Sequence, residues 1–445
     1  MNHDPREVIA SSPMSPLQVF VIAITIGLNA LDGFDVLSIS FASPGIAAEW
    51  GIARDALGIV LSMELIGMAI GSVVLGGVAD RIGRRPTVLG CLALMAFGMV
   101  MATTASGLVA LSAWRILTGL GIGGMLAAIT AMAAEFSNTR RRHLSVSLMS
   151  IGYPLGAVFG GMVAARLLRG NDWRSVFYFG AAVTAALIPV VYFVVPESVH
   201  WLARKQPAGA LERISRAMAR MGHRAVAALP EVPAMVRGES VTAIFAPALV
   251  ATTVIVTLAY FFHIMTFYFI VKWIPKIVVD MGFPASSAAG VLVWTNVGGA
   301  TGGAVLGLLT QRYGVKALTI GILLLSAVSV VMFGRAPADL QQLSLISAVA
   351  GFCTNAGIIG LYAIIAQAFP TEVRAFGTGF TIGVGRGGSA LGPIVAGFLF
   401  TAGYTLPSVA MTMALGSFLG ALVLLWLTLE PDRPRGDLAA GRAQS

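Results

Sequence analysis

The chain has 445 residues, of which 57% are hydrophobic and only 11% charged, with a mean hydropathy of +0.85. Soluble domains carry roughly a quarter charged residues, so a water-soluble globular class is excluded. The formal charge of +9 does not point to nucleic acid, because the basic residues lie in short loops between apolar segments and act there as a topology signal.

In chain order, residues 1–16 form a polar tail. The apolar run that follows, 17–41, is too long for the core of a signal peptide and has no cleavage pattern, so an uncleaved first span is expected. Stretches of about 20 apolar residues, enough to cross a ~30 Å hydrocarbon core, recur at twelve places. They are 17–41, 56–79, 86–106, 109–134, 144–168, 175–195, 246–273, 287–309, 317–334, 343–368, 376–400 and 407–429. The segment between the sixth and seventh is rich in arginine (Arg204, Arg213, Arg216, Arg220, Arg224, Arg237). The expected organisation is a tail (1–16), a six-helix bundle (17–195), a central loop (196–245), a second six-helix bundle (246–429) and a second tail (430–445). An even number of spans puts both termini on one side. With that side cytoplasmic, 20 Lys and Arg fall in inside loops and tails, 6 in outside loops or, for Arg166, at the outer end of a span, and 3 (Arg115, Lys272, Arg386) within spans. This bias selects cytoplasmic termini.

Asp32 and Asp35 lie three residues apart in the first span, so both carboxylates share one helix face. An ionisable group at membrane depth costs a few kcal/mol or more and is a functional candidate by default. Asp35 is six residues and Asp32 nine from the outer end of that span, and Arg115 is about six below the outer end of the fourth. At 1.5 Å per residue the three groups share a level within roughly 5 Å. An aspartate–arginine pair is therefore expected, since each charge alone is heavily penalised. Protonating one aspartate releases Arg115, which is a usable proton switch; a permanent structural pair is the alternative. Glu64, eight residues into the second span, is a further candidate proton site.

Between the second and third spans, Gly76-x3-Asp80-Arg81-x-Gly83-Arg84-Arg85 crowds one carboxylate and three guanidiniums into a very short turn. These charges need partners, and Glu135, Glu197 and the positive end of a neighbouring helix are the candidates. Residues 307–316 (GLLTQRYGVK) repeat the spacing after the eighth span, with Gln311 where the first copy has Asp80. The repeat is the trace of two pseudo-symmetric halves that rock about a central site, and without the carboxylate the second copy is expected to hold its turn less firmly. Gly119, Gly121 and Gly124 fit G-x-G-x-x-G, but that fingerprint has meaning only between a strand and a helix. Inside a span they read as close helix contact, as do Gly152, Gly156 and Gly160. Cys91 and Cys353 lie inside apolar segments without metal spacing. No P-loop, no H-E-x-x-H and no nucleophile elbow is present, so neither an enzyme, a cofactor nor a metal site is expected.

The seventh span is dense in rings. Tyr260, His263 and Phe267 share a face and line either a cavity or a lipid and packing surface, while Lys272 and Trp273 read as interfacial anchors. Asn296, Asn355 and Tyr362 are polar groups on spans eight and ten suited to bonding a ring substituent. Arg386, ten residues from the cytoplasmic end of the eleventh span, stays charged at any depth. No acid of the second half stands at its level, which favours an anionic ligand over a purely structural role.

The turn at 76–85 resembles the signature of the major facilitator superfamily, in which it latches the cytoplasmic side shut in one conformer. Residues 115–124 (RILTGLGIGG) resemble the fourth-helix pattern of that superfamily, and 370–379 (PTEVRAFGTG) the matching second-half loop. Residues 196–202 (PESVHWL) resemble a Pro-Glu-Ser-x-Arg-x-Leu turn with His200 in place of the arginine. The resemblance spans about residues 17–429. The pattern Asp32-Gly33-Phe34-Asp35, the early Arg115 and Gly383-x-Gly385-Arg386-x-Gly388 further resemble the aromatic acid:proton symporter branch. Met125-Leu126-Ala127-Ala128 departs from the Pro-Asn pair many members carry.

The resemblance implies an all-α membrane protein of 12 transmembrane helices in two pseudo-symmetric six-helix bundles, with cytoplasmic termini. It implies alternating-access import of a benzoate-, hydroxybenzoate- or vanillate-type acid with protons across the inner membrane, by a monomer in the lipid bilayer. Proton coupling is then expected at Asp32, Asp35, Arg115 and Glu64, and substrate binding at Arg386, Tyr260, His263, Phe267, Asn296, Asn355 and Tyr362. The cytoplasmic gate is expected at Gly76, Asp80, Arg81, Gly83, Arg84, Arg85 and Glu135. A drug efflux antiporter, a nicotinate or sugar porter of the same fold, and a non-transporting sensor are the competing readings.

Overall fold

The computed structural model describes residues 4–224, 226, 228–230, 244–247, 249–310, 312–370 and 373–428, with residue 375 described by its backbone alone. Arg237, Gln311, Thr371, Glu372 and the tail 430–445 lie outside the described residues. Among these residues twelve helices are long and apolar enough to cross a membrane. They are α2 (Pro16–Trp50), α3 (Arg54–Ile82), α4 (Arg84–Thr103), α5 (Leu108–Glu135), α6 (Arg142–Leu167) and α7 (Arg174–Val194) in the first half. In the second half they are α10 (Val250–Asp280), α11 (Ala285–Leu309), α12 (Val315–Gly334), α13 (Leu340–Ala368), α14 (Arg374–Thr401) and α15 (Leu406–Leu425). Three short helices stand outside the bundles: α1 (Pro5–Ser11), α8 (Val199–Lys205) and α9 (Ala210–Arg220).

Local chemistry sets the helix ends. Ser15 and Gln18 form a reciprocal capping box with Pro16 at the first helical position, so α2 starts there. It then runs to Trp50, well past residue 41, where the apolar run expected from the sequence ends. Pro44 is tolerated because the Ser40 carbonyl, left without its amide donor, accepts from Ser43 Oγ at 2.9 Å. Asp35 is consequently fifteen residues from the end of its helix rather than six. Likewise α10 continues through Pro275 to Asp280. That places Lys272 and Trp273 inside the bundle, both fully buried, and corrects the expectation that they are interfacial anchors.

Glycine decides which helices touch. A Cβ on Gly119 would lie 2.1 Å from the Glu64 carbonyl oxygen, one on Gly123 2.2 Å from that of Met68, and one on Gly67 2.3 Å from that of Ile116. The backbones of α3 and α5 are thus in direct contact. The same relation recurs between α11 and α13, where Cβ atoms on Gly298 and Gly351 would meet the carbonyls of Ala348 and Thr295 at 1.9 and 2.0 Å. Gly156 joins α6 to α2 and Gly388 joins α14 to α10 in the same manner. Small residues let helices approach where lipid offers no hydrophobic force between them, and the repeated pairs give the two halves the same plan.

The halves meet at one end. Arg54 pairs with Asp280 at 2.9 Å, Thr401 Oγ1 bonds Asp55, and Ser62 Oγ donates to the Ala390 carbonyl at 2.6 Å. Deepest in this series, Arg386 Nη1 lies 3.4 Å from the Met68 carbonyl oxygen. Among the described residues, every hydrogen bond or ion pair between the halves lies between that level and the Arg54–Asp280 end. The bundles are pinned shut on the Arg54 side, with the turn that carries Asp80 at the opposite end.

Candidate functional site

Because α3 and α5 touch through glycine, side chains at one level of the two helices are forced together. Arg115 Nη2 donates to Glu64 Oε1, and both side chains are 0% exposed. The same nitrogen donates to the Asp35 backbone carbonyl at 3.1 Å, and the guanidinium lies 5.3 Å from the centroid of the Phe177 ring. The carboxylates of Asp32 and Asp35 make no hydrogen bond in this state. The expected Asp–Arg115 pair is therefore corrected: Glu64, on the helix whose backbone already lies against α5, occupies the guanidinium first. Both aspartates remain at the same depth as the pair, buried in the centre of α2.

A fifth ionisable group completes this level. Lys272 Nζ, reaching across from α10, donates to the Val36 carbonyl and lies 3.5 Å from Glu64 Oε2. Its place at the end of the expected span 246–273 gave it the reading of an interfacial anchor instead. The signal that α10 continues was nevertheless present in Ile277, Val278 and Val279 and in Lys276, which pairs with Asp280 at the true helix end.

In the second half, α14 lies against α10 so closely that a Cβ on Gly385 would stand 2.0 Å from the Tyr260 ring. This contact turns Arg386 inward and across the gap between the halves, half-buried, with Asp32, Tyr260 and Tyr268 in electrostatic range. Tyr260 and Tyr362 join hydroxyl to hydroxyl at 3.2 Å. Phe267, Asn296 and Asn355 come together with Tyr153 around a small cleft between the halves. Asn296 Nδ2 donates to Leu292 O at 2.8 Å and Asn355 Nδ2 to Gly299 O at 2.6 Å. His263 does not join them. Its ring is fully buried between α13 and α15, 2.8 Å from the Thr354 carbonyl and 2.9 Å from Ser417 Oγ, so the cavity-lining expectation is corrected. Helix α10 is covered on several sides, and residues that share a face in projection meet different neighbours.

The turn at 76–85 forms a separate ionic cluster. Arg84 donates to Asp80 Oδ1 at 2.7 Å and to Glu135 Oε1 at 3.1 Å, while Glu197 Oε1 accepts from the Arg84 and Ser198 amides at 3.0 and 2.8 Å. Burial pushes the Glu197 carboxyl up, opposed by these amides and that of Arg85. Gly83, with φ at +112°, makes the corner between α3 and α4, and a Cβ there would strike the Glu197 carboxylate at 2.2 Å. Arg204 and Trp201 of α8 hold Asp80 from outside, and Arg85 reaches the Tyr192 carbonyl. Arg81 is exposed, and Gly76 has room beside it. In this state the cluster ties the first bundle to the central segment.

The model of the Major Facilitator Superfamily matches residues 25–296 and 256–444. The chain is 28% identical to the gallate transporter of Pseudomonas putida over 95% of its own length and 94% of that protein's. It is 27% identical to the 4-hydroxybenzoate transporter PcaK of Pseudomonas aeruginosa, covering 95% of each. It is 29% identical to the 3-(3-hydroxy-phenyl)propionate transporter of Escherichia coli, covering 93% of this chain and 95% of that one. Among solved structures, the D-xylose-proton symporter superposes with a TM-score of 0.71 at 18% identity, covering 93% of this chain and 98% of that one. The chain belongs to the major facilitator superfamily and is a twelve-span membrane transporter, not an enzyme.

Proposed function

We propose that this transporter imports a small aromatic carboxylate together with protons across the inner membrane by alternating access. One observation carries the reading. The half-buried Arg386 guanidinium projects between the bundles with Tyr268 in its electrostatic range and, among the described residues, no acid of its own bundle at its level, while Phe267 and the amides Asn296 and Asn355 line a cleft between the same bundles. A guanidinium held there is matched in charge and geometry to a carboxylate, and the adjoining aromatic and amide groups to a substituted ring. The printed names of the relatives, transporters of gallate, 4-hydroxybenzoate and 3-(3-hydroxy-phenyl)propionate, support the same class.

The basic residues around the Asp80 turn support a cytoplasmic position for that end, and on this reading the bundles closed on the Arg54 side are inward-facing. Asp32 and Asp35 are proton carriers, poised at the depth of the Glu64–Arg115 pair, and Glu64 is a further proton site. A proton and the anion enter from the periplasm, the bundles rock about the central site, and both leave inward. The Asp80–Arg84–Glu135 cluster is the cytoplasmic latch, remade with the second bundle when that side closes. The protein works as a monomer of two bundles joined by the segment 196–245.

The test is uptake of labelled 4-hydroxybenzoate into proteoliposomes under an inward proton gradient. Accumulation that a protonophore abolishes, that benzoate and gallate compete with, and that Arg386→Gln weakens chiefly through KM is the expected result. Uptake indifferent to the protonophore sinks the proton reading. Proton-driven extrusion of hydrophobic cations without anion uptake assigns the chain to drug efflux.

A further inference from the structure

The central charges are distributed unevenly between the bundles. All three acids, Asp32, Asp35 and Glu64, belong to the first, which supplies only Arg115 against them. The other two cations at this level, Lys272 and Arg386, come from the second bundle. Pinned together on the Arg54 side, the halves balance three acids with three cations. Pulled apart, the first half retains two unmatched carboxylates in a medium that penalises them severely.

From this distribution we infer that Lys272 is a coupling residue of the transport cycle, the second-bundle counter-ion whose departure from Glu64 requires that a proton take its place. Its ammonium is 0% exposed, bound to the Val36 carbonyl and 3.5 Å from Glu64 Oε2, so it bridges α10 to both α2 and α3. The charged and titratable groups around it are Glu64 and Arg115, with Asp35 bound through its carbonyl to the same Arg115. Opening on the Arg54 side withdraws α10. A proton from that side then adds to the Glu64 carboxylate, no other bond is made or broken, and Lys272 keeps its own proton as it leaves. The proton adds to the first bundle the one positive charge that the departing ammonium takes away, so the net charge at the Glu64 site is the same before and after. Closing reverses the exchange: the returning ammonium displaces the proton, which leaves toward the open side with the substrate. Arg386 follows a parallel course in which the substrate carboxylate, rather than a proton, is the exchanged charge.

This inference rests on the proton-coupled reading above, and the two fail differently. Reconstituted protein is assayed for gradient-driven uptake of labelled 4-hydroxybenzoate, for exchange of internal against external 4-hydroxybenzoate, and for proton entry with a trapped pH dye. Lys272→Met is expected to slow net uptake at least about tenfold more than exchange, with proton entry lost, and Lys272→Arg to restore coupling. Lys272→Met with the proton-to-substrate ratio and pH profile of the unmodified protein overturns the assignment. If the single variant does not fold, Lys272→Met combined with Glu64→Gln removes both charges, and persistence of coupled proton entry in that double variant overturns it equally. Absence of proton entry in the unmodified protein defeats instead the reading on which the inference stands.

Discussion

Glu64 and Arg115 form an ion pair in which both side chains are 0% exposed, on helices whose backbones touch at Gly119. Neither charge has water to fall back on, so the pair is a fixed element of the first bundle unless something neutralises Glu64. Removing one member of such a pair strands the other, at a cost of about 3–5 kcal/mol. Glu64→Gln is therefore expected to lower the melting temperature of the detergent-purified protein markedly. Glu64→Gln with Arg115→Met recovers most of that loss without recovering transport. Equal stability of the single and double variants rules this out.

The two aspartates behave oppositely. Their carboxylates are buried and accept no hydrogen bond in this state, so holding them charged costs stability that function demands. Asp32→Asn and Asp35→Asn are expected to leave the melting temperature unchanged or raise it, while abolishing proton-driven accumulation. A thermal-shift series measured beside uptake decides the point, and a large destabilisation by either variant contradicts it.

Helix contact sets a third expectation. A Cβ on Gly156 would stand 1.7 Å from the Ala30 carbonyl oxygen, and nothing flexible lies there to give way. Forcing helices apart in this way costs about 1–3 kcal/mol or more, and α2 carries the aspartates. Gly156→Ala should reduce both folded yield and uptake. Gly76→Ala, whose Cβ would sit 3.7 Å from Ala127, should express normally, whereas Gly83→Ala meets the Glu197 carboxylate and a left-handed backbone. The ranking of the three by size-exclusion yield checks this.

His200 provides a pH dependence at the latch end. Burial holds its imidazole below the ordinary range, with Glu135, Arg142, Arg6 and Asp4 as charged neighbours. The folded value lies under the unfolded one, so the stabilising contribution is present above about pH 6.5 and is lost as pH falls. Glu197, pushed up by burial, acts with the opposite sign, so the histidine must be isolated by substitution. The melting temperature of His200→Gln should fall less steeply between about pH 7 and pH 5 than that of the unmodified protein. Identical slopes would exclude the role.

Much of the molecule was legible from residue order alone. Apolar length and the placement of Arg and Lys define twelve spans in two halves, because lipid admits few alternatives to a helix satisfied by its own hydrogen bonds. The cost of charge in hydrocarbon marks Asp32, Asp35, Glu64, Arg115 and Arg386 as special without any coordinates. Partner choice was not legible. That Arg115 takes Glu64, that Lys272 is central and not interfacial, and that His263 faces α13 and α15 depend on which backbones glycine lets touch and on helices that continue through Pro44 and Pro275. Periodicity reports the face of one helix, whereas an ion pair is a property of two. Only the tertiary structure decides which of several equally buried charges stand within reach.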